Sequence, residues 1–347
     1  MLSIVIPSHQ RTDLLSACLA SVTRHAPAGT EVIVVDDASR GGRVGKVAAA
    51  FAGIKVLRLP RRSGFCVAAN AGIRASTGEI VELLNDDTEV QAGWADAALA
   101  WFTDPEIAAV APLVFSDPEG TRVDSAGDRY YRGGVAGKRG HGQAPAPEYF
   151  CSRPIFGASA SSAFYRRSAF DRVGGFPESF QAYFEDVDLA FRLQRASYRA
   201  IFEPSSRVWH KIGASYGRPR RRLLEQQSRN EERVFWRNIP GPDLVRALPR
   251  HLAVLAAKAV RRWREGNLLP FLCGRLRLLT EIPELIRHRR NLALLGPAVS
   301  VESWQVDTHW RAAGRKSPVD FAQPGAYTPG SPGDSLQRRD NRCSMPS

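Results

Sequence analysis

Residues 79–89, EIVELLNDDTE, decide the fold of this 347-residue chain. Glu79–Leu84 has the apolar character of a buried strand, and it ends in the acidic turn Asn85-Asp86-Asp87. Strand and helix alternate before it, with strands expected at Leu2–Pro7, Glu31–Val35 and Ile54–Leu59 and helices at Arg11–His25, Val44–Phe51 and Phe65–Ala75. Repeated strand–helix units with near-continuous apolar strands predict an α/β domain on a parallel sheet, with helices on its faces.

Polar or acidic residues stand where three of these strands end. They are Pro7-Ser8, Asp36-Asp37 and Asn85-Asp86-Asp87. Parallel sheets of this kind bind ligands beyond the carboxyl ends of their strands. The coincidence predicts a binding site at that edge of the sheet.

A second acidic cluster follows a hundred residues later, in the segment FEDVDLAFR at 184–192. Glu185, Asp186 and Asp188 lie within four positions, and like charges held close together in a partly buried place are costly. A bound cation, or a proton to be accepted, would offset that cost. With the turn at 85–87 and His210, the cluster predicts an active site that holds a metal-bound phosphate and a base.

Composition limits the compartment in which we expect the protein. The N-terminus runs directly into a strand, which argues against a signal peptide, and no apolar run is long enough to cross a bilayer. We expect a cytoplasmic protein that is soluble or peripheral on the inner face of the cell membrane. Five cysteines without paired spacing argue against a disulfide framework or a zinc site and favour a reducing compartment: Cys18, Cys66, Cys151, Cys273 and Cys343.

The basic charge of the chain is concentrated in one region. Residues 205–291 contain 20 Lys and Arg against 7 Asp and Glu, a net charge of +13 that equals the value for the whole chain. Two amphipathic helices are expected there, at 242–264 and 268–290. Their apolar stripes are Leu244, Leu248, Leu252, Leu255, Ala259 and Trp263, then Leu272, Leu276, Leu279, Ile282 and Ile286. The pattern favours an anionic membrane surface as partner, with docking on the catalytic domain and oligomer formation as alternatives.

Together the motifs resemble those of the family 2 glycosyltransferases. The matching residues, in order along residues 1 to about 215, are Ile4-Val5-Ile6-Pro7-Ser8, Val34-Val35-Asp36-Asp37-Ala38-Ser39, Gly64-Phe65, Ala69-Asn70-Ala71-Gly72-Ile73, Gly78-Glu79, Leu83 to Glu89, Gly174-Gly175-Phe176, Glu185 to Leu189, and Trp209-His210. The resemblance implies a GT-A fold and inverting transfer from a nucleoside diphosphate sugar. The Asn-x-Asp-Thr-Glu variant is most similar to bacterial rhamnosyltransferase-type and other cell-surface polysaccharide transferases.

The resemblance assigns the nucleotide-sugar site to the strand ends. It implies that Asp36 or Asp37 accepts the imide N–H of a uracil or thymine base, whereas the residues alone favour a turn and helix cap. Asp87 is the implied ligand of Mg²⁺ or Mn²⁺, and Asp86 would contact ribose or assist. Asn85 stands where the family's metal motif has its first carboxylate. Pro7, Ser8 and Asn70 complete the expected nucleotide-sugar-binding residues.

The resemblance assigns the chemistry to the second cluster and to His210. Asp186 would be the catalytic base, with Glu185 and Asp188 shaping its surroundings and raising its pKa; a cap cluster at the start of a helix is the alternative. His210 would be a second metal ligand rather than a packed or surface histidine. Arg192 would pair with the acidic cluster, with a phosphate, or in an ordinary helix salt bridge.

The predicted organisation is a catalytic domain at 1–215, with a nucleotide-binding half at about 1–115 and an acceptor half at about 116–215. In the acceptor half, residues 120–147 are rich in glycine, charge and proline and suit a long loop or a mobile hairpin over the site, whereas the small, apolar residues 156–165 are consistent with a strand packed close to a ligand. A basic helical extension follows at 216–300, and a disordered tail at 314–347. The predicted function is metal-dependent, inverting transfer from dTDP-rhamnose or a UDP-sugar to a surface glycan or a polyprenyl-linked acceptor. A catalytically weak scaffold that binds nucleotide sugars and recruits partners through its basic helices is the alternative. A nucleotidyltransferase would need a Gly-rich basic loop after the first strand, and no nucleic-acid-binding motif is present.

Overall fold

One mixed β-sheet runs through residues 2–210 of the computed structural model, which describes residues 1–211 and 221–296. A separate hairpin, formed by β8 and β9, lies beside it. The strands are β1 (Leu2–Ser8), β2 (Glu31–Asp36), β3 (Ile54–Arg58), β4 (Ile80–Leu84), β5 (Thr88–Val90), β6 (Ile107–Phe115), β7 (Val123–Ser125), β8 (Asp128–Tyr131), β9 (Val135–Lys138), β10 (Arg153–Ile155), β11 (Ser162–Arg166) and β12 (Arg199–His210).

The main sheet has the order β10-β12-β6-β11-β4-β1-β2-β3, with β5 paired to β12 and β7 paired to β6. β3, β2, β1 and β4 are mutually parallel, so their carboxyl ends share one edge. β11 runs antiparallel between β4 and β6, and β12 runs parallel to β6. These pairings join the expected halves 1–115 and 116–215 in one sheet.

Helices cover both faces of the sheet. They are α1 (Thr12–His25), α2 (Arg43–Ala48), α3 (Phe65–Ala75), α4 (Trp94–Leu99), α5 (Arg167–Arg172), α6 (Glu185–Arg195), α7 (Arg221–Asn238), α8 (Gly241–Arg264), α9 (Leu268–Leu276) and α10 (Ile282–Leu295). Ile4 and Ile6 of β1 enter one hydrophobic cluster with α1, α2 and α4, and Val5 enters the other with α3, α5 and α6. A strand buried on both faces explains the continuous apolar run in the sequence.

The strand–helix order predicted for residues 2–84 is confirmed, with element ends shifted by a few residues. The expected loop or hairpin at 120–147 contains β7 and the β8–β9 hairpin. Six of the described helices and strands were not predicted, namely α4, β5, β6, β10, β12 and α7. The sequence of α7 is too polar to suggest a buried helix, yet Val234 and Phe235 in it are fully buried.

Two expectations need correction. The strand expected at 156–165 begins only at Ser162, and residues 156–161 form an irregular segment whose backbone reaches the site described below. The single helix expected at 268–290 is broken by a 3₁₀ turn at Arg277–Glu281. Among the described residues, Cys18, Cys66 and Cys273 are free thiols.

The C-terminal helices pack on the sheet domain mainly through α7, which contacts α6, α9 and α10. The apolar stripe predicted along 268–290 nevertheless remains exposed, from Leu272 to Ile286. The described helices include none with the length and apolarity that a membrane crossing requires. The tail at 314–347, and residues 216–220 and 297–300 of the expected extension, lie outside the described residues.

Candidate active site

The pairing of β5 with β12 brings Asp87 and His210 together. β5 begins directly after Asp87, and its antiparallel register places Thr88 opposite His210. The Lys211 N–H donates to the Asp87 carbonyl at 2.9 Å and continues this pairing. His210 Nε2 lies 3.2 Å from Asp87 Oδ1, and the two side chains are only 12% and 5% exposed. The two residues predicted as metal ligands are therefore neighbours.

The turn before Asp87 is fixed through the main chain of Asn85. Its carbonyl accepts the Thr88 hydroxyl at 2.6 Å, and its N–H donates to the Ser161 carbonyl at 3.0 Å. The Ser8 hydroxyl donates to Asp86 Oδ2 at 2.6 Å, so the ends of β1 and β4 meet here. Burial, reinforced by the charge of Asp87, raises the pKa of Asp86 to about 7. A bound cation would lower that pKa again.

A third carboxylate, Asp124 on β7, reaches this site and was not predicted. Its Oδ2 lies 2.9 Å from His210 Nδ1 and 2.8 Å from Lys138 Nζ, and its Oδ1 lies 3.0 Å from His141 Nδ1. Burial opposes ionisation of Asp124, but the hydrogen bonds from His141 and His210 and the charge of Lys138 hold its pKa well below the usual range. Asp124 stands in a segment without periodicity, and the only signal in the sequence was that this segment would cover the site.

Asp36 and Asp37 are both buried and both engaged by the protein. Asp36 Oδ1 accepts the Ser39 N–H at 2.6 Å, and its Oδ2 pairs with Arg58. The carboxylate of Asp37 accepts the N–H groups of residues 63 and 64 at 2.6 and 3.0 Å. The Ser39 bond matches the turn part of the alternative for Asp36, which caps no helix, and the other contacts show Asp37 holding the loop that precedes α3. The role of either residue toward a nucleotide base stays a prediction.

Asn70 clamps a distant segment onto α3. Its side-chain oxygen accepts the Phe176 N–H at 3.0 Å, and its amide nitrogen donates to the Phe176 carbonyl at 2.9 Å. The Gly174-Gly175-Phe176 motif is thereby tied to the Asn70 motif. Pro7 is a buried residue of β1 beside Ser8. Contacts of Pro7 and Asn70 with a nucleotide sugar stay predictions.

Asp186 lies in the first turn of α6 and is partly exposed. Its Oδ2 accepts the Ala160 N–H at 3.0 Å, and its Oδ1 accepts the Val187 N–H at 2.8 Å. Burial raises its pKa, which these N–H donors and the charge of Lys138 partly oppose. Ala160 is followed by Ser161, whose carbonyl holds the Asn85 N–H. Two consecutive residues therefore join Asp186 to the 85–87 turn.

The other two acids of the cluster point elsewhere. Glu185 is buried, and its Oε2 has no hydrogen-bond partner among residues 1–211 and 221–296. Burial, with the nearby charge of Asp186, raises the pKa of Glu185 well above its usual range. Asp188 is fully buried in a salt bridge to Arg192 at 2.9 Å and another to Arg237 at 3.2 Å. Arg192 is thus the helix salt bridge that the sequence left open.

The loop before Asp186 is strained and is held by α7. Gln181, Tyr183 and Phe184 all have left-handed backbone angles, with φ of 62°, 69° and 66°. Such conformations persist only where their surroundings enforce them. The Asn230 amide donates to the carbonyls of residues 180, 182 and 183 at 2.9, 2.9 and 3.1 Å, and Gln226 adds bonds to residues 180 and 182. The unpredicted helix α7 therefore fixes the loop from which α6 and Asp186 begin.

The residues present fit a divalent cation bound together with a diphosphate. The described ranges contain no group of three His, Cys, Asp or Glu residues arranged to hold a metal ion by themselves. Asp87 and His210 supply one carboxylate oxygen and one imidazole nitrogen at adjacent positions. Mg²⁺ is commonly held by one or two carboxylates plus substrate phosphates, and carboxylate oxygens suit Mn²⁺ as well.

Comparison with known proteins shows which family the chain resembles in sequence. Residues 3–174 match the family model "Glycosyl transferase family 2". The pre-mycofactocin glycosyltransferase of Mycobacterium tuberculosis is 33% identical over 209 residues, which are 60% of this chain and 42% of that protein. The N-acetylglucosaminyl-diphospho-decaprenol L-rhamnosyltransferase of the same species is 29% identical over 245 residues, 63% of this chain and 78% of that protein. The chain spans less than half the length of the curated relatives that it matches at 33% identity.

A solved structure supports the fold. GalNAc-T7, crystallised with UDP, GalNAc and Mn²⁺, superposes with a TM-score of 0.54 at 19% identity, covering 67% of this chain and 47% of that one. The likeness concerns the arrangement of strands and helices. The family match over residues 3–174, the ordered motifs and this likeness of fold lead to the same conclusion. The chain belongs to the family 2 glycosyltransferases and has the GT-A fold.

Proposed function

We propose that this protein transfers a sugar from a nucleoside diphosphate sugar to an acceptor hydroxyl, with inversion at the anomeric carbon and with help from a divalent cation. One observation carries the proposal. Ala160 bonds the Asp186 carboxylate, and the adjacent Ser161 bonds the turn that ends in Asp87. A diphosphate held at Asp87 and His210 would therefore lie beside a base that faces the acceptor.

The residues support a single displacement. Asp186 takes the proton of the acceptor hydroxyl while that oxygen attacks the anomeric carbon, and the bond from that carbon to the phosphate oxygen breaks. The nucleoside diphosphate leaves with the bonding electrons from the face opposite the attack. A cation bound at Asp87 and His210 would offset the negative charge that develops on the leaving diphosphate.

For the substrates we propose dTDP-rhamnose or a UDP-sugar as donor, and a surface glycan or polyprenyl-linked oligosaccharide as acceptor. Asp36 and Asp37 stand at the end of β2, where a carboxylate could accept the imide N–H of uracil or thymine. The relative at 29% identity is an L-rhamnosyltransferase whose acceptor is a decaprenol-linked sugar, which favours the same chemistry here.

A scaffold that binds nucleotide sugars without turnover is the competing function, and Asn85 is the feature that favours it. The experiment that separates the two is a panel of UDP-, GDP- and dTDP-sugars with Mn²⁺ or Mg²⁺, with and without EDTA. Release of one nucleoside diphosphate that EDTA abolishes is the result expected of the enzyme. Donor binding without release, in the presence of polyprenyl-linked acceptors, would support the scaffold, and no donor binding would exclude both.

We also propose that helices α8 to α10 hold the protein on the anionic inner face of the cell membrane. Of the fourteen exposed large apolar side chains in the described residues, eleven lie at 245–294, so the patch is local to these helices. On α8 the exposed Val245, Leu252, Val260 and Trp263 recur at helical spacing. Exposed arginines flank them at 246, 250, 261 and 264. An apolar stripe beside a cationic stripe is what an anionic bilayer surface binds.

Sedimentation with lipid vesicles tests the membrane surface. We expect the protein to bind vesicles that contain phosphatidylglycerol, more weakly at high salt, and not to bind pure phosphatidylcholine. The double variant Arg246→Gln/Arg250→Gln should bind about 30-fold more weakly, because each arginine contributes about 1 kcal/mol near such a surface. Arg24→Gln, an exposed arginine on α1, is the matched control. Equal binding by all three proteins, or a dimer that buries the stripe in solution, would contradict the proposal.

A further inference from the structure

We propose that Asp124 is a positioning residue for metal binding: it fixes His210 so that Nε2 presents its lone pair beside Asp87. The inference rests on the proposed function, because it concerns the cation of that reaction. It assigns a task to a carboxylate that lies 86 residues from His210 in sequence.

The geometry of the imidazole carries this inference. His210 Nδ1 lies 2.9 Å from Asp124 Oδ2, and Nε2 lies 3.2 Å from Asp87 Oδ1. A neutral imidazole has one N–H and one lone pair, and an ionised carboxylate only accepts. If Nδ1–H donates to Asp124, the lone pair is on Nε2, at the side of Asp87. Histidines that bind metals commonly have their other nitrogen held in this way.

Asp124 is itself held rigidly enough to set the ring. Its side chain is only 1% exposed, and it lies on β7, which pairs with β6 of the main sheet. Lys138 Nζ and His141 Nδ1 also contact its carboxylate, at 2.8 and 3.0 Å. Lys138 shares Oδ2 with His210, and His141 contacts Oδ1. His210 is fixed from the other side by the pairing of β12 with β5.

The alternative is that Asp124 only stabilises the fold through its ion pairs. Asparagine at this position offers one acceptor oxygen to three donors, so it cannot hold Lys138, His141 and His210 together. A role in folding alone would lower the melting temperature and leave the metal affinity of the folded protein unchanged. A role through His210 changes metal affinity only while His210 is present.

The test measures Mn²⁺ binding by the wild type and the variants, with and without UDP or dTDP. The electron paramagnetic resonance signal reports the concentration of free Mn²⁺. We expect Asp124→Asn to weaken Mn²⁺ binding by about 10- to 100-fold. In a His210→Ala background, Asp124→Asn should cause no further loss. His141 contacts the other oxygen of Asp124, Oδ1, so His141→Gln is the control. It should change the Mn²⁺ affinity by less than threefold. Nitrogen NMR of wild-type His210, recorded with diamagnetic Mg²⁺ and UDP bound, should show the Nδ1–H tautomer.

Several outcomes would overturn the inference. These are unchanged Mn²⁺ affinity in Asp124→Asn, an additive loss in the double variant, or an Nε2–H tautomer in the wild type. The tautomer is measured on the wild type, so it decides the matter even if Asp124→Asn does not fold. Wild-type protein that binds UDP or dTDP but not Mn²⁺ would overturn both this inference and the proposed metal dependence of sugar transfer. Wild-type protein that binds Mn²⁺ but no nucleotide would instead be a failure of the proposed function.

Discussion

Asp186→Asn is expected to lower the rate of sugar transfer by about 10²- to 10⁴-fold, the usual contribution of a general base. The substitution keeps the size of the side chain, and its remaining oxygen can still accept the Ala160 N–H. Donor affinity should therefore change little while kcat falls. The measurement is steady-state release of nucleoside diphosphate, together with donor binding by calorimetry.

The pH profile separates this role from a structural one. A base must be ionised, so kcat of the wild type should fall as pH decreases through the pKa of Asp186. Because burial raises that pKa, the fall should come at a higher pH than an ordinary aspartate would give. Asp186→Asn should lack this limb. Asp171→Asn, an exposed residue of α5, is the control that should keep wild-type rates. An Asp186→Asn protein with wild-type kcat would exclude the base.

The sequence predicted the parts of this site that follow strand ends. The positions of Ser8, Asp36 and Asp86 come from the alternation of strands and helices, because parallel strands present their carboxyl ends at one edge. The meeting of Asp87 with His210 came from the order of family motifs, since β12 itself was not predicted. The pairing of β5 with β12 is a long-range contact, which local periodicity does not encode.

The sequence missed the residues that support the site from outside it. Asp124 lies in an aperiodic segment, and its function depends on which strand β7 joins. Asn230 lies on α7, a helix of polar sequence that was not predicted. Its side chain is nevertheless fully buried against three backbone carbonyls. In both cases a polar residue is buried because its partners are backbone or side-chain groups far away in the chain. Patterns of hydrophobicity in the sequence therefore predict that such residues are exposed, whereas the structure buries them.

Asp87→Ala is expected to lower kcat/KM by about 10³-fold and to remove the response of the rate to Mn²⁺ concentration. A bound cation supplies several kcal/mol of charge stabilisation at a leaving phosphate, and each 1.36 kcal/mol is a factor of ten in rate. The measurement is kcat/KM across a range of Mn²⁺ concentrations. Glu89→Gln, two residues away in β5 and paired with Lys211 at 3.6 Å, is the control and should keep the Mn²⁺ response.

The thermal stability of the metal-free Asp87→Ala protein should not fall with its activity. The charge of Asp87 helps to raise the pKa of buried Asp86 to about 7, so the two carboxylates repel each other in the metal-free protein. Removing one of them should leave the melting temperature of the metal-free protein equal or higher. A lower melting temperature would mean that Asp87 is needed for the fold, and a retained Mn²⁺ response would place the cation on other residues. Loss of activity without loss of stability would indicate that Asp87 serves to bind the cation rather than to stabilise the fold.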